Sequence, residues 1–337
     1  MLNVTLFLCI IIVLVLLFDY INGFHDSANA IATVVSTRVM TPRTAIVMAA
    51  VLNFVGAVFS TSVAKTIAGG LVDPAVATQT VVLSAIVGAI AWNLITWFYG
   101  IPSSSSHALI GGLVGAALIA GGPGSLILLS KKANEGLVPK VLIPLFSSPV
   151  LGLIVGFIIM TVIYLVFQKY KKAITSAVFK RLQVLSAATM AFAHGQNDAQ
   201  KSMGLITMAL VSAGVLAKPD IPLWVVLSCA IVMALGTAAG GWRIIKTMGH
   251  KIISLEPVSG FAAETTAASI LLTTAHMGMP VSTTHAITTS IMGVGLAKKD
   301  DEGKSVCFGT AGRILFAWVL TIPATFLIAY VLRKITM

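Results

Sequence analysis

The sequence predicts an all-α polytopic membrane protein, built from two inverted-topology repeats with broken helices and re-entrant helical hairpins. Three observations predict it. The chain is 57% apolar and only 10% charged, with a mean hydropathy of +0.99. Charge-free stretches at 46–64, 76–111 and 141–167 reach or approach the ~20 residues that a helix needs to cross a bilayer core. And two polar strings each occur twice. Asn22-Gly23-Phe24-His25-Asp26-Ser27-Ala28-Asn29-Ala30 matches His194-Gly195-Gln196-Asn197-Asp198-Ala199-Gln200-Lys201-Ser202, 172 positions on. Pro102-Ser103-Ser104-Ser105-Ser106-His107-Ala108 matches Pro280-Val281-Ser282-Thr283-Thr284-His285-Ala286, 178 positions on. Duplicated polar groups in an apolar chain place a site at the interface of two repeats.

The elements follow in the same order in each half. The first is a long helix, expected to be interrupted at the Asp string. In half one its start at 2–18 has no basic residues before it, so it reads as a retained helix and not as a cleaved leader. A plain spanning helix comes next. Two apolar arms then flank the Pro-Ser/Thr string, as a hairpin would. A last long span closes the half. On this reading, residues 1–167 form the first inverted repeat, 168–183 a charged cytoplasmic linker and 184–337 the second repeat.

Loop charge sets the orientation. The net charge is +11, and its basic residues cluster in short loops, above all Lys169, Lys171, Lys172, Lys180 and Arg181. Cytoplasmic loops of membrane proteins carry this excess. With 168–183 inside, Arg243, Lys246, Lys251, Lys298, Lys299 and Lys304 also fall inside, as do Arg38 and Arg43. Both termini then lie outside the cytoplasm, and the halves run in opposite senses. Lys131, Lys132 and Lys140 fall outside, against the rule. No zinc-ligand spacing or aromatic stacking platform supports a nucleic-acid partner. Cys9, Cys229 and Cys307 show no pairing or metal-ligand pattern.

The repeated strings carry the chemistry. A carboxylate deep in a membrane costs at least ~2.5 kcal/mol on insertion scales, so Asp26 and Asp198 need a reason to be there. Gly23 and Gly195 each precede an Asp by three residues and are expected to break the helix and free its carbonyls. Together with Asn22, Asn29 and Asn197, the carboxylates and carbonyls make an oxygen set suited to a hard cation such as sodium. The alternative, an Asp capping a helix at the membrane surface, would have to arise twice. In the second string, proline ends one arm and hydroxyls begin the next helix. Ser104, Ser105, Ser106 and Ser282, Thr283, Thr284 add donors to a helix N-terminus, where a small oxyanion can bind. Ordinary N-capping is the competing role for those hydroxyls. His107 and His285 read as structural or as proton carriers. Glu264 has no counterpart in half one and reads as a cation ligand or as a packing partner of Lys201, which itself reads as offsetting the charge of Asp198 or Glu264 or as attracting anion. Asp19 has no assigned role. The glycines after the strings, Gly111, Gly112, Gly115, Gly293 and Gly295, read as close-packing residues.

These strings resemble the signatures of the inorganic phosphate transporter (PiT) family, and the resemblance spans both halves. It implies a secondary transporter, not an enzyme, that imports inorganic phosphate with a coupling cation by alternating access. It further implies a homodimer in a cell membrane, with the lipid bilayer and phosphate as partners. Carried onto this chain, phosphate contacts fall to Ser104, Ser105, Ser106, Ser282, Thr283, Thr284, Asn29 and Gln196. Cation contacts fall to Asp26, Asp198, Asn22, Asn197 and Glu264, with sodium at Asp26 and Asp198 as the coupling ion and no other cofactor. Near neutral pH phosphate is mostly divalent, and two or more sodium ions would make its import electrically favourable, at ~2.3 kcal/mol per charge per 100 mV. Members of the family use sodium or protons, so a proton-coupled or metal-phosphate symporter is the alternative. A sulfate transporter or a passive anion channel follows at a distance. An intramembrane Ser-His hydrolase fits poorly, because two copies of a Ser/Thr-His string do not make one dyad. Half two carries Gln200-Lys201 where half one has Ala28-Asn29, so the two half-sites differ chemically.

Overall fold

Apolar helices that cannot leave backbone groups unpaired in lipid set the architecture. A computed structural model describes residues 2–129, 136–298 and 306–336. Lys131, Lys132, Lys299 and Lys304 lie outside the described residues. Among those described there are twelve α-helices and no strand: α1 Leu2–Ser36, α2 Pro42–Phe59, α3 Ser62–Gly69, α4 Gln79–Phe98, α5 Ser105–Gly121, α6 Ile143–Phe167, α7 Lys172–Ser212, α8 Leu223–Ala239, α9 Trp242–His250, α10 Pro257–His276, α11 Thr283–Ala297 and α12 Phe308–Ile335. Five are long and apolar enough to span a membrane, and α8 with α9 makes a sixth, bent span. The second six helices repeat the first six in order and kind.

The helices bearing the Asp strings are not broken. The 35-residue α1 and the 41-residue α7 run straight through Gly23 and Gly195, against the expectation from sequence. The glycines serve another purpose. A Cβ on Gly195 would lie 2.1 Å from the Asn53 carbonyl oxygen, and one on Gly56 would lie 2.1 Å from that of Phe192. Gly23 and Gly236 repeat the arrangement, against the carbonyls of Met233 and Tyr20. So α2 crosses α7, and α1 crosses α8, backbone on backbone. A glycine that enables so close a crossing is held by it, and lipid offers no water to satisfy a broken turn. The breaks fall elsewhere. Ser60 and Thr61 separate α2 from α3, and Gly240 and Gly241 separate α8 from α9 with a 69° bend. The charged segment at 168–183 is also mostly helical, because α7 begins at Lys172.

The two halves are interlocked. The α4–α5 hairpin of half one packs on α12, and the α10–α11 hairpin of half two packs on α6. Glycines permit this too: Gly111 and Gly115 lie against α12, Gly112 against Ala85 of α4, and Gly293 against Leu153 of α6. Each hairpin tip is held by the short helix of the opposite half. Arg243 and Thr247 of α9 donate to the carbonyls of Phe98 and Gly100, at 2.5 and 2.9 Å. Thr66 of α3 donates to the Gly278 carbonyl at 2.8 Å.

The apolar core is split in two. One cluster takes α1 up to Phe18, then α4, α5, α8 and the last part of α7, from Ala199 to Leu210. The other takes α1 from Ala28 onward, α9, α10, α11 and the first part of α7, with Ala187 to Ala193. Helix α1 passes from the first core to the second, and α7 passes from the second to the first. Between the cores lie the two Asp strings. Replacing Gly195 by alanine should force α2 and α7 apart, at a cost in the 1–3 kcal/mol range typical of overpacking. A lower melting temperature in detergent is expected, with a smaller drop for alanine at the open Gly124. Equal melting of Gly195→Ala and wild type would show that the crossing does not depend on the glycine.

Candidate functional site

A buried carboxylate must be met by donors, and the helices deliver them to the gap between the cores. Asp26 on α1 is buried. Its Oδ2 accepts from the Ser105 hydroxyl at 3.0 Å, and its Oδ1 from the Thr284 hydroxyl at 3.4 Å. Ser105 opens α5 and Thr284 is the second residue of α11, so the start of each hairpin's second arm reaches the same carboxylate. Three residues on, the Asn29 amide donates to Thr283 and Thr284 at 3.1 and 3.0 Å. Asp198 on α7 is buried as well, and its Oδ2 accepts from Thr283 and from the Asn22 amide, both at 3.4 Å. Both Asp strings and both Ser/Thr strings therefore converge on one place.

Helix starts supply the rest of the polarity. Ser104 and Ser282 accept the backbone N–H of His107 and His285, each at 3.1 Å, so both hydroxyls act as N-caps. The Ser106 hydroxyl donates to the Val281 carbonyl at 2.7 Å and ties one hairpin tip to the other. Behind the tips, the His107 and His285 rings meet edge to face at 4.3 Å between centroids, and His285 stacks on Trp318. The Trp318 indole donates to the Pro102 carbonyl at 3.0 Å. Positive helix ends and hydroxyls thus face two carboxylates, an arrangement that can hold an oxyanion beside a cation.

The sequence underrated two histidines and left the partner of Lys201 open between two acids. His25 Nδ1 lies 2.6 Å from Asp26 Oδ1, and its Nε2 reaches Thr96 at 3.2 Å. His194 Nε2 lies 3.5 Å from Asp198 Oδ2. Asp26, Asp198 and His194 each offer one ligand atom, all within 4.8 Å of one another. Lys201 Nζ lies 2.8 Å from Asp198 Oδ1, so its partner is Asp198 and not Glu264. In the helical repeat, His194 stands where half one has Asn22, and His25 where half two has Asn197. Each half thus brings one histidine to its own aspartate from a different position, which matching the strings residue by residue hides.

The remaining candidates divide. Asn22, Asn29 and Gln196 are buried with carbonyl oxygens that no described residue meets, and Asn197 is buried with its whole amide in that condition. Glu264 of α10 is fully buried but apart from the aspartates. Thr33 of α1 donates to it at 2.5 Å, Gln183 of α7 at 3.2 Å, and Ser186 of α7 also donates. The sequence did not single out these three partners. The one available signal was Thr33, seven residues beyond Asp26 and so on the same helix face.

This arrangement has close relatives. A profile described as the phosphate transporter family matches residues 22–178 and again 168–329. The chain is 48% identical to the Probable low-affinity inorganic phosphate transporter of Bacillus subtilis (strain 168), over 95% of each chain. It is 44% identical to a protein of the same description from Rhizobium meliloti (strain 1021), over 95% of this chain and 93% of that one. A solved structure, described as the sodium-dependent phosphate transporter, shares the fold over 98% of both chains with a TM-score of 0.82 and 24% identity.

Glu264→Ala should strand the donors of Thr33, Gln183 and Ser186, and each buried unmet donor costs ~1–3 kcal/mol. Its melting temperature should fall well below that of Glu264→Gln, which keeps one oxygen. Identical melting of the two variants would take Glu264 out of the α1–α7–α10 contact.

Proposed function

This chain belongs to the phosphate transporter family and is a membrane phosphate transporter, not an enzyme; on that premise we propose that it imports inorganic phosphate together with sodium by alternating access. The observation that carries the proposal is the convergence of both hairpin starts on Asp26, through Ser105 and Thr284. Sodium sits between Asp26 and Asp198, with the free amide oxygens of Asn22 and Asn197 completing its shell. Phosphate sits against the starts of α5 and α11, among Ser104, Ser105, Ser106, Ser282, Thr283, Thr284, the Asn29 amide and Gln196. The hydroxyls that now donate to the carboxylates turn to phosphate once sodium takes the carboxylate charge. A second cation binds at Glu264, where Thr33, Ser186 and Gln183 add neutral oxygens.

Because α1 and α7 are unbroken, sodium's ligands here are side-chain oxygens and not freed carbonyls. Support for sodium comes from that oxygen-rich side-chain set and from the description of the solved structure that shares the fold. Alternating access follows from the interlocked halves, which we read as inverted repeats spanning 1–167 and 184–337. The opposite passage of α1 and α7 through the two cores supports inversion. We read the basic residues at 168–183 as cytoplasmic and both termini as outside, by the excess of basic residues in cytoplasmic loops; the homodimer in a cell membrane is what the family resemblance implies.

A second reading has its own observation. His25 and His194 stand at the aspartates, and imidazole suits a proton or a transition metal better than sodium. That reading makes the cargo phosphate with a proton, or a metal-phosphate complex.

Asp26→Asn and Asp198→Asn should each abolish cation-driven uptake into proteoliposomes while leaving folded protein. Ala at Thr283 and Thr284 together should weaken phosphate binding, at roughly 1.5–3 kcal/mol per donor lost to an anion, with less effect on the cation. Normal cation dependence in both Asp variants would remove the cation site from these carboxylates. For coupling, radiolabelled phosphate uptake is measured with sodium and pH gradients imposed separately. Uptake is expected to rise steeply with sodium, to survive collapse of the pH gradient and to gain nothing from potassium. Loss of uptake on adding a protonophore at constant sodium and clamped potential selects the proton reading instead.

A further inference from the structure

Asp19 takes no part in the site described so far. It lies on α1, seven residues before Asp26, and is fully buried with neither carboxylate oxygen met by a hydrogen bond from a described residue. Its polar and charged neighbours are Ser202, Asp198 and Lys201, all on α7. Cys229 of α8 is a further ionisable group near it. Lys201 is also fully buried, and its ammonium is committed to Asp198 at 2.8 Å. So one lysine lies in the field of two buried carboxylates and is ion-paired with one of them.

We propose that Lys201 is a tethered counter-cation that exchanges between Asp198 and Asp19 during the transport cycle, with Asp19 as its second perch. The inference rests on the cation-coupled reading above. In the empty carrier Lys201 neutralises Asp198, so the halves can rearrange without carrying a bare carboxylate through the membrane interior. When the coupling cation arrives between Asp26 and Asp198, it displaces the ammonium. A displaced lysine without a partner would be a lone charge in a medium that penalises it heavily. Asp19 supplies the partner. Lysine suits this role because its charge rides on a flexible four-carbon stem, and Ser202, its neighbour in sequence, already faces Asp19. The repeat adds a further point: the matching position in half one is Asn29, which is uncharged and fixed to Thr283 and Thr284. Among the described residues, a lysine stands at the Asp198 half of the site and none at the Asp26 half.

The test is a double-variant cycle read as the cation concentration for half-maximal phosphate uptake, in proteoliposomes, over both a sodium and a pH series. Asp19→Asn removes the perch, leaves Lys201 on Asp198 and should raise that concentration ~10-fold, within the usual span of coupling between sites. Lys201→Met removes the competitor, so the half-maximal concentration should fall, and net uptake should slow while phosphate-phosphate exchange persists. The double variant should lose the Asp19→Asn defect. If Asp19→Asn alone gives no folded protein, the pairing predicts that the double variant, which removes one charge of each sign, restores the yield. Half-maximal concentrations within twofold of wild type in Asp19→Asn would overturn the proposal. So would an Asp19→Asn defect, in affinity or in yield, that persists in the double variant. Absence of sodium dependence in wild type overturns the sodium reading alone, because the exchange concerns any cation at Asp198 and the pH series still reads it.

Discussion

Two carboxylates, Asp26 and Asp198, stand where lipid-embedded protein tolerates charge least, and the structure is organised around meeting them. Each is reached by hydroxyls from helix starts, by an amide or imidazole, and in one case by a lysine. The donors come from α1, α5, α7 and α11, so no single helix or single repeat completes the site. The apolar core is divided as a consequence. Packing runs up to the polar layer from one side and resumes beyond it on the other.

That requirement explains the interlocking. A hairpin tip leaves carbonyls at a helix end without partners in their own helix, and here they are answered from the other half: Phe98 and Gly100 by α9, Gly278 by α3. The same exchange holds the outer helices, with α6 on α11 and α12 on α5. Moving one half against the other therefore moves helix starts relative to aspartates. The glycines at the α2–α7 and α1–α8 crossings let these helices meet backbone to backbone.

Much of the site was legible because duplication repeats chemistry as well as shape. The hydroxyls of 104–106 and 282–284 and the two aspartates were all visible as paired strings, and the structure brings both pairs to one place. What was read wrongly was the reason for the glycines. Gly23 and Gly195 looked like helix breakers, since glycine is permissive in isolation; their constraint is Met233 and Asn53 on other helices. The actual breaks, at 60–61 and 240–241, carry Ser-Thr and Gly-Gly but sit outside the repeated strings. Glu264 stood out in the sequence as an acid with no counterpart in the other half, yet its partners Thr33, Gln183 and Ser186 are ordinary polar residues scattered over two helices.

The sequence by itself determined what is local or additive. Apolar length sets the spans, capping residues after proline set the starts of α5 and α11, and duplication sets the two-part plan. Those depend on the solvent and on nearest neighbours along the chain. Tertiary structure alone decided which distant donor meets which carboxylate: Ser105 and Thr284 on Asp26, Thr283 and Asn22 on Asp198, and Thr33 and Ser186 on Glu264. These pairings turn on distances of a few ångströms between helices far apart in sequence. They are fixed by how closely glycine lets the helices cross, a quantity that no stretch of residues read on its own contains.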